Sequence, residues 1–140
     1  MQSVFVSCPF HGPSKELIAC IEGAAKGLSL KTVAVDQSGI ARPLAAEIER
    51  GVQESRIVIA DVTGKNPNVL LEIGLAQAYG KTLILITQDA PSEAPFDIRH
   101  LRMIEYTSAD LPALQGRITS AFQEVLFPDD LLRSMIVPRT

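Results

Sequence analysis

The sequence predicts a single α/β domain with a flavodoxin-like, three-layer fold around a five-stranded parallel sheet. Strand-like runs rich in β-branched residues alternate with segments whose apolar residues recur at helical spacing. The chain has 140 residues, a common size for one domain. Its residues are 46 % hydrophobic but only 5 % aromatic, so aliphatic side chains must fill the core, which suits buried parallel strands.

Breaker residues divide the first half of the chain into two strands and two helices. The predicted order is a strand at 3–10, a helix at 14–27, a strand at 31–36 and a helix at 43–54. Pro9 and Gly12 interrupt the first strand. Gly27 ends the first helix, and Pro43 suits the first turn of the second because a proline needs no partner for an N–H there.

The second half of the chain continues the alternation. The predicted elements are a strand at 56–61, a helix at 67–79, a strand at 82–87, a short strand at 102–106 and a helix at 111–127. Turn-forming residues follow Asp61, and Gly80 ends the third helix. The domain therefore covers 1–127, and 128–140 remains as a C-terminal tail.

The alternation also predicts the order of the strands and the place of a binding site. Right-handed crossovers return each helix to the sheet, and we expect the strand order 2-1-3-4-5. In that order the topological switch falls between the first and third strands, where ligands bind at the carboxyl ends. We therefore expect the loops at 8–14 and 61–68 to form a crevice.

Charge and motif content argue against several classes of protein. There are 13 basic and 16 acidic residues, giving a net charge of −3, and neither sign forms a run, so we expect no nucleic-acid and no membrane partner. Cys8 and Cys20 lack metal-ligand spacing and follow no secretory signal, which predicts a cytoplasmic protein without a metal site. The sequence contains no GxGxxG motif, and we predict no cofactor.

The third predicted helix carries an isolated carboxylate, Glu72. Its other residues are apolar nearly all round, which predicts a buried helix in which an ionised glutamate needs a partner. Asn68 precedes Glu72 by four residues and shares its face. Gly74 costs about 1 kcal/mol relative to Ala in mid-helix, which indicates close packing by the sheet or a ligand. The alternative is that Glu72 is a partly solvated residue favoured by the helix dipole.

Two further polar residues flank this helix, and each has a structural alternative. Asp61 closes the predicted central strand where the crevice opens, but a strand-end Asp also commonly bonds nearby backbone amides. Asn68 follows Pro67 and is alternatively a simple helix-start residue. The functional interpretation therefore depends on the three side chains together.

The stretch ADVTGKNPNVLLEIGLAQAYGK, at 60–81, resembles the nucleoside 2-deoxyribosyltransferase superfamily and the TIR-like proteins that border on it. In that superfamily a strand ending in Asp leads to a helix with Glu, one residue, Gly, one residue, Ala. The matching positions here are Asp61, Glu72, Gly74 and Ala76. VFVSCPF at 4–10 resembles the family's first strand and sugar-side loop, and PFDIRHLRMIEY at 95–106 is similar to a segment of bacterial members.

One difference from the family's pattern indicates which branch of the superfamily this chain resembles more. The transferases usually carry Gly-Thr shortly before the glutamate, whereas this chain has NPNV at 66–69, a form closer to the TIR-like branch. The resemblance implies cleavage or transfer at an N-glycosidic bond of a nucleoside, nucleotide or NAD-like substrate. The alternative is a TIR-like nucleotide-sensing or self-associating signalling module without turnover.

The chemistry of that bond suggests a role for each candidate residue. Cleavage passes through an oxocarbenium-like state, which a carboxylate on the opposite ring face stabilises or traps covalently, so Glu72 is the candidate nucleophile. Asp61 is the candidate acid for the departing base, and Asn68 is expected to hold a ribose hydroxyl. The other substrate-binding candidates lie at the first strand's end and in two loops: Ser7, Phe10, His11, Gly12, Phe96 and Asp97.

Alternatives also remain for the loops and the tail. Phe96 and Asp97 form either a lid over the crevice or a structural loop in which Asp97 caps a turn. The tail at 128–140 carries five apolar side chains, which leads us to expect a subunit contact and a homo-oligomer. Packing of the tail on its own sheet is the alternative.

Overall fold

The computed structural model describes residues 1–9, 14–35, 45–90, 92, 101 and 103–128. Strands and helices alternate along these ranges. The strands are β1 (Ser3–Ser7), β2 (Lys31–Val33), β3 (Ile57–Asp61), β4 (Thr82–Thr87) and β5 (Met103–Glu105). The helices are α1 (Ser14–Lys26), α2 (Ala45–Glu54), α3 (Pro67–Ala78) and α4 (Leu111–Leu126).

The strands form one parallel sheet in the order β2-β1-β3-β4-β5. Helices α1 and α4 pack together, as do α2 and α3, giving one helical layer on each side of the sheet. The predicted flavodoxin-like architecture and its strand order are therefore confirmed. Ser7 pairs with Ala60, and Asp61 pairs with Ile86, so the carboxyl ends of β1, β3 and β4 meet at one edge.

Some elements are shorter than the sequence predicts. β1 ends at Ser7 and not at 10, because Pro9 has no N–H to continue the ladder. β2 ends at Val33, and β5 (Met103–Glu105) ends one residue before the predicted 106. The fourth strand matches its predicted range of 82–87.

The two faces of the sheet bury separate apolar clusters, which fixes the direction of each strand side chain. Val6 and Ile59 pack with α1 and α4, whereas Phe5 and Ala60 lie on the side of α2 and α3. Since side chains alternate along a strand, Ser7 lies on the α3 side. Asp61 and Cys8 lie on the α1 side by the same alternation, and Cys8 belongs to that cluster.

Helix α3 buries one side only, so the expectation of a helix buried all round is wrong. Glu72, Ile73 and Ala76 are buried, but Leu71 is 73 % exposed, because the helix forms a single layer over the sheet. A methyl group at Gly74 would meet no described atom within 4 Å, so close packing by the described residues does not explain this glycine. No helix in the described part of the chain is long and apolar enough to cross a bilayer.

Candidate active site

Asp61 is buried at the carboxyl end of β3 and accepts hydrogen bonds from three donors. Its Oδ1 accepts from the backbone N–H of Thr63 at 3.0 Å and from Thr63 Oγ1 at 2.6 Å. Its Oδ2 accepts from the phenol of Tyr106 at 2.7 Å. The bond from the Thr63 N–H is the kind that a strand-end Asp commonly makes, and the bond from Tyr106 links the end of β3 to the segment after β5.

The turn after β3 is tied to the turn after β4. Thr63 Oγ1 accepts from the backbone N–H of Gln88 at 2.9 Å, and the N–H of Gly64 donates to Asp89 Oδ2 at 2.8 Å. Gly64 has φ +73°, and Lys65 has φ +53°, a left-handed conformation that is uncommon for residues other than glycine. These bonds hold one rim of the crevice in a defined shape.

Tyr106 is a site residue to which the sequence interpretation gave no role. Its pKa is raised by burial first, and then by its hydrogen bond to Asp61 and the negative charge there. The phenol therefore stays protonated at neutral pH and can donate to the carboxylate. The available sequence signal is that Tyr106 immediately follows β5, whose carboxyl end lies at the same edge of the sheet as that of β3.

Glu72 is only 5 % exposed, and it lies on the side of α3 that faces β1. Ala76, four residues later on the same helix face, belongs to the apolar cluster that contains Phe5 of β1. Ile73 belongs instead to the cluster that contains Leu85 of β4. Glu72 is therefore turned towards β1 and the topological switch, and the partly solvated alternative does not describe its position.

Ser7 and Glu72 each lie one step closer to the carboxyl edge than Phe5 and Ala76, which belong to one apolar cluster. Ser7 lies two residues beyond Phe5 on the same face of β1, and two strand residues advance about 6.6 Å. Glu72 lies four residues before Ala76, about 6 Å along the helix. As the crossover between parallel strands, α3 runs antiparallel to them, so both steps lead towards the carboxyl edge, where Ser7 and Glu72 lie on the same side of the sheet.

The thiol of Cys8 is affected by the charges of both candidate carboxylates, Asp61 and Glu72. It is buried directly after β1, and its pKa is raised from 9.0 to about 12 by burial, and then by the charges of Asp61 and Glu72. Both carboxylates therefore lie near this thiol, one associated with each face of the sheet. The thiol is protonated at neutral pH and is not poised to act as a nucleophile.

Ser7 is 1 % exposed, and its Oγ has no hydrogen-bond partner among the described residues. Buried hydroxyl groups in folded proteins are nearly always hydrogen-bonded. Ser55 shows the usual case, because it is equally buried and its Oγ donates to the carbonyl oxygen of Gly51 at 2.6 Å. The unpaired hydroxyl of Ser7 lies at the carboxyl edge, where the sequence predicts a ligand.

Asn66 caps α3, and Asn68 lies on the exposed surface of its first turn. The Oδ1 of Asn66 accepts from the backbone N–H groups of Asn68 at 2.9 Å and Val69 at 3.4 Å. Pro67 occupies the first helical position. The helix-start role considered for Asn68 thus belongs to Asn66, and the Asn68 side chain is exposed at the amino end of the helix that carries Glu72.

The structure therefore describes only some of the predicted site residues. Ser7, Asp61 and Glu72 all lie at the carboxyl edge, with Asp61 on one side of the sheet and Ser7 and Glu72 on the other, and Asn68 lies at the rim of that edge. Five further candidates lie outside the described residues: Phe10, His11, Gly12, Phe96 and Asp97. The same holds for 129–140, so the subunit contact of the tail stays a prediction.

Neither a cavity near Tyr106 nor a metal centre is a better candidate for the site. A cavity of about 250 Å³ lies beside Tyr106, between the end of β5 and the start of α4. Most residues that line it are exposed, and neither Asp61 nor Glu72 is among them. Within the described ranges, no group of three or more His, Cys, Asp or Glu side chains is placed to hold a metal ion. The topological switch remains the best candidate.

Comparison with known proteins identifies the fold. No family model and no curated protein sequence matches the chain. The CMP N-glycosidase BcmB of Clostridium botulinum superposes with a TM-score of 0.63 at 20 % identity, over 84 % of this chain and 98 % of that one. The TIR domain heterodimer of RPS4 and RRS1 gives 0.67 at 13 % identity, over 88 % and 97 %. The chain thus has an α/β fold shared by N-glycosidase and TIR domains.

Proposed function

We propose that the protein cleaves the N-glycosidic bond of a nucleoside, nucleotide or NAD-like substrate, with Glu72 as the nucleophile. The observation that carries this proposal is the burial of Glu72 on the side of α3 that faces β1. This position is the topological switch, where open α/β sheets bind their ligands. The structural likeness to a CMP N-glycosidase supports a nucleotide as the substrate class.

The reaction needs two steps at Glu72. A carboxylate oxygen attacks C1′ of the sugar, the C1′–N bond breaks, and its electron pair leaves with the base nitrogen. The base of a nucleoside or nucleotide takes up a proton, whereas the nicotinamide of NAD leaves neutral and needs none. Water then attacks C1′ of the glycosyl ester, the C1′–O bond to Glu72 breaks to free its carboxylate, and the proton that the water loses returns to the acid that protonated the base or, for NAD, passes to solvent. A second base in place of water would make the reaction a transfer.

Asp61 is the proposed source of the proton for the departing base. In its resting arrangement Asp61 accepts hydrogen bonds from Thr63 and Tyr106. To deliver a proton, its Oδ2 must first carry one, and the Tyr106 hydroxyl must turn to accept it. A phenol can serve as donor or acceptor, so the same pair of residues accommodates both states.

A second candidate function is nucleotide sensing without turnover. The likeness to a TIR domain heterodimer favours it, and so does Leu71, which is large, apolar and 73 % exposed on α3. In this case Glu72 and Ser7 would contact the ligand, and the outer side of α3 would be available to a partner. The two functions differ in whether base is released.

The test is to incubate the purified protein with a panel of nucleosides, nucleoside monophosphates and NAD, and to measure free base by chromatography. We expect base to be released from at least one of them. Heat-denatured protein is the control for spontaneous hydrolysis. Binding without release would support the sensing function, whereas neither binding nor release would contradict both.

A further inference from the structure

We infer that the buried hydroxyl of Ser7 recognises the 2′-hydroxyl of the substrate, so that the site selects ribose over 2′-deoxyribose. This inference rests on the proposed function, because it takes Glu72 as the group that attacks the sugar. It goes further by naming which sugar the site accepts and which residue distinguishes it.

The first observation is that the buried hydroxyl group of Ser7 makes no hydrogen bond to the described residues. In the described part of the chain, Ser7 Oγ is the one buried side-chain nitrogen or oxygen without a hydrogen-bond partner. Leaving such a group unpaired is unfavourable, and alanine would avoid this penalty. A substrate hydroxyl at this point would satisfy Ser7, because a serine can both donate and accept.

The second observation is the position of Ser7 relative to Glu72. Both residues lie on the α2–α3 side of the sheet at its carboxyl edge, since Phe5 and Ala76, one step further from that edge on β1 and α3, belong to one apolar cluster on that side. Cys8, the chain neighbour of Ser7, is close enough to Glu72 for its pKa to be raised by that charge. Asp61 belongs to the other side of the sheet, where it bonds to Tyr106. On the side of the sheet where Glu72 lies, the carboxyl edge thus carries the hydroxyl group of Ser7, whereas the second carboxylate lies on the other side.

The stereochemistry of a β-nucleoside connects these observations. A nucleophile that displaces the base approaches C1′ from the ring face opposite the base. The 2′-hydroxyl projects from that same face, on the carbon adjacent to C1′, whereas the 3′-hydroxyl is one carbon further away. A side chain beside the nucleophile thus meets the 2′-hydroxyl first, and hydrogen bonds to this group strengthen in the transition state of glycoside cleavage.

The consequence is a preference that depends on Ser7. A 2′-deoxy substrate leaves the Ser7 hydroxyl unpaired in the complex, and sites built to bond a substrate hydroxyl discriminate strongly against the analogue that lacks it. Deoxy sugars also differ in intrinsic reactivity. The informative quantity is therefore the ribo-to-deoxy ratio of kcat/KM in a variant, divided by the same ratio in the parent.

The experiment measures base release from the ribonucleoside monophosphates, from NAD and from their 2′-deoxy counterparts. In Ser7→Ala we expect the ribo-to-deoxy ratio to fall by about tenfold or more, while the Tm stays equal or rises. Ser55→Ala is the matched control, because Ser55 is as buried as Ser7 but is bonded to Gly51. Its ratio should match that of the parent. Ser7→Cys, of similar volume and weak hydrogen bonding, is a second variant should Ser7→Ala fold poorly.

The outcomes separate the inference from the function on which it rests. Base release with an unchanged ratio in both Ser7 variants would overturn the role of Ser7 and leave the proposed function intact. An equal loss on both sugars would also overturn it, because a merely structural role affects both substrates alike. Absence of release from every compound by the parent protein would contradict the proposed function, and the inference with it.

Discussion

The phenol of Tyr106 donates a 2.7 Å hydrogen bond to Oδ2 of Asp61, although the two residues are 45 positions apart in the chain. The bond joins the end of the central strand β3 to the segment that follows the edge strand β5. It completes the set of three donors around a buried carboxylate, and it makes Tyr106 part of the candidate site.

Replacing Tyr106 by phenylalanine should destabilise the protein by about 1–3 kcal/mol, because Oδ2 of Asp61 then lacks its donor in a buried position. Urea unfolding measures the change. Tyr79→Phe is the control, since the Tyr79 hydroxyl bonds to Glu49 at the surface, and its loss should change stability by about 0.5 kcal/mol or less. Equal losses of stability in the two variants would show that the bond to Asp61 contributes no more than a surface hydrogen bond.

The two asparagines around Pro67 should have different roles, Asn66 in the stability of the protein and Asn68 in substrate binding. Asn66→Ala removes the cap of α3 and should cost about 1 kcal/mol of unfolding free energy. Asn68→Ala removes an exposed side chain that caps nothing, so stability should change by about 0.5 kcal/mol or less while KM rises if Asn68 holds the ribose. Thermal melts and steady-state kinetics on both variants test this assignment, and a large loss of stability in Asn68→Ala would refute it.

Gly74→Ala should stabilise the protein by about 1 kcal/mol, the difference in helix propensity, because a methyl group there meets no described atom within 4 Å. Gly51→Ala is the opposite case. A methyl group at Gly51 would lie 2.7 Å from Cε2 of the Phe5 ring, and such overpacking should cost about 1–3 kcal/mol. Denaturant midpoints compare the two, and destabilisation by Gly74→Ala would mean that this helix face packs against something.

The stability of the protein should decline in alkaline solution through Cys8. Its thiol has a pKa of about 12 in the folded protein, against an ordinary value of 9.0. Below the lower value the thiol is protonated in both states and contributes no pH dependence. Between the two values only the unfolded thiol ionises, so unfolding is favoured as pH rises.

Unfolding free energies measured from about pH 8 to about pH 11 test this linkage. The parent should lose stability more steeply than Cys8→Ala, whose constant offset from a small cavity does not affect the slope. Glu72→Gln should make this decline level off at a lower pH, because it removes one of the charges that raise the pKa of Cys8. Identical slopes in the parent and Cys8→Ala would contradict the burial of this thiol beside the carboxylates.

The sheet order could be predicted because it follows from alternation, and the choice of a candidate site follows from that order. Strands separated by helices must be parallel, and right-handed crossovers leave few arrangements. Asp61 and Glu72 could then be assigned to one edge, since a strand end and the start of the next helix are connected by a short loop. No long-range information was needed for either residue.

Other features depend on contacts between distant parts of the chain. The bond between Asp61 and Tyr106 requires that β5 lie beyond β4 and that the ends of β3 and β5 be level, which local patterns do not determine. The exposure of Leu71 depends on how many layers cover α3, because apolar composition alone does not distinguish a buried side from an uncovered one. The unpaired state of Ser7 similarly depends on which helical layer lies opposite it.

Glu72 is the proposed nucleophile, and Glu72→Gln separates its charge from its shape. The change keeps the shape and much of the hydrogen bonding of the side chain but removes the charge that stabilises an oxocarbenium-like state. Glu54→Gln is the matched control, since Glu54 is exposed and paired with Arg50 at 3.8 Å. Stability should be equal or higher in Glu72→Gln, because functional carboxylates are often held at some cost to folding.

The measurement is base release by the parent and both variants from the best substrate of the panel, together with ligand affinity by calorimetry. Glu72→Gln should retain affinity but lose at least about 100-fold in kcat, while Glu54→Gln matches the parent in both. Base release by Glu72→Gln at the rate of the parent would contradict the assignment of Glu72 as the nucleophile.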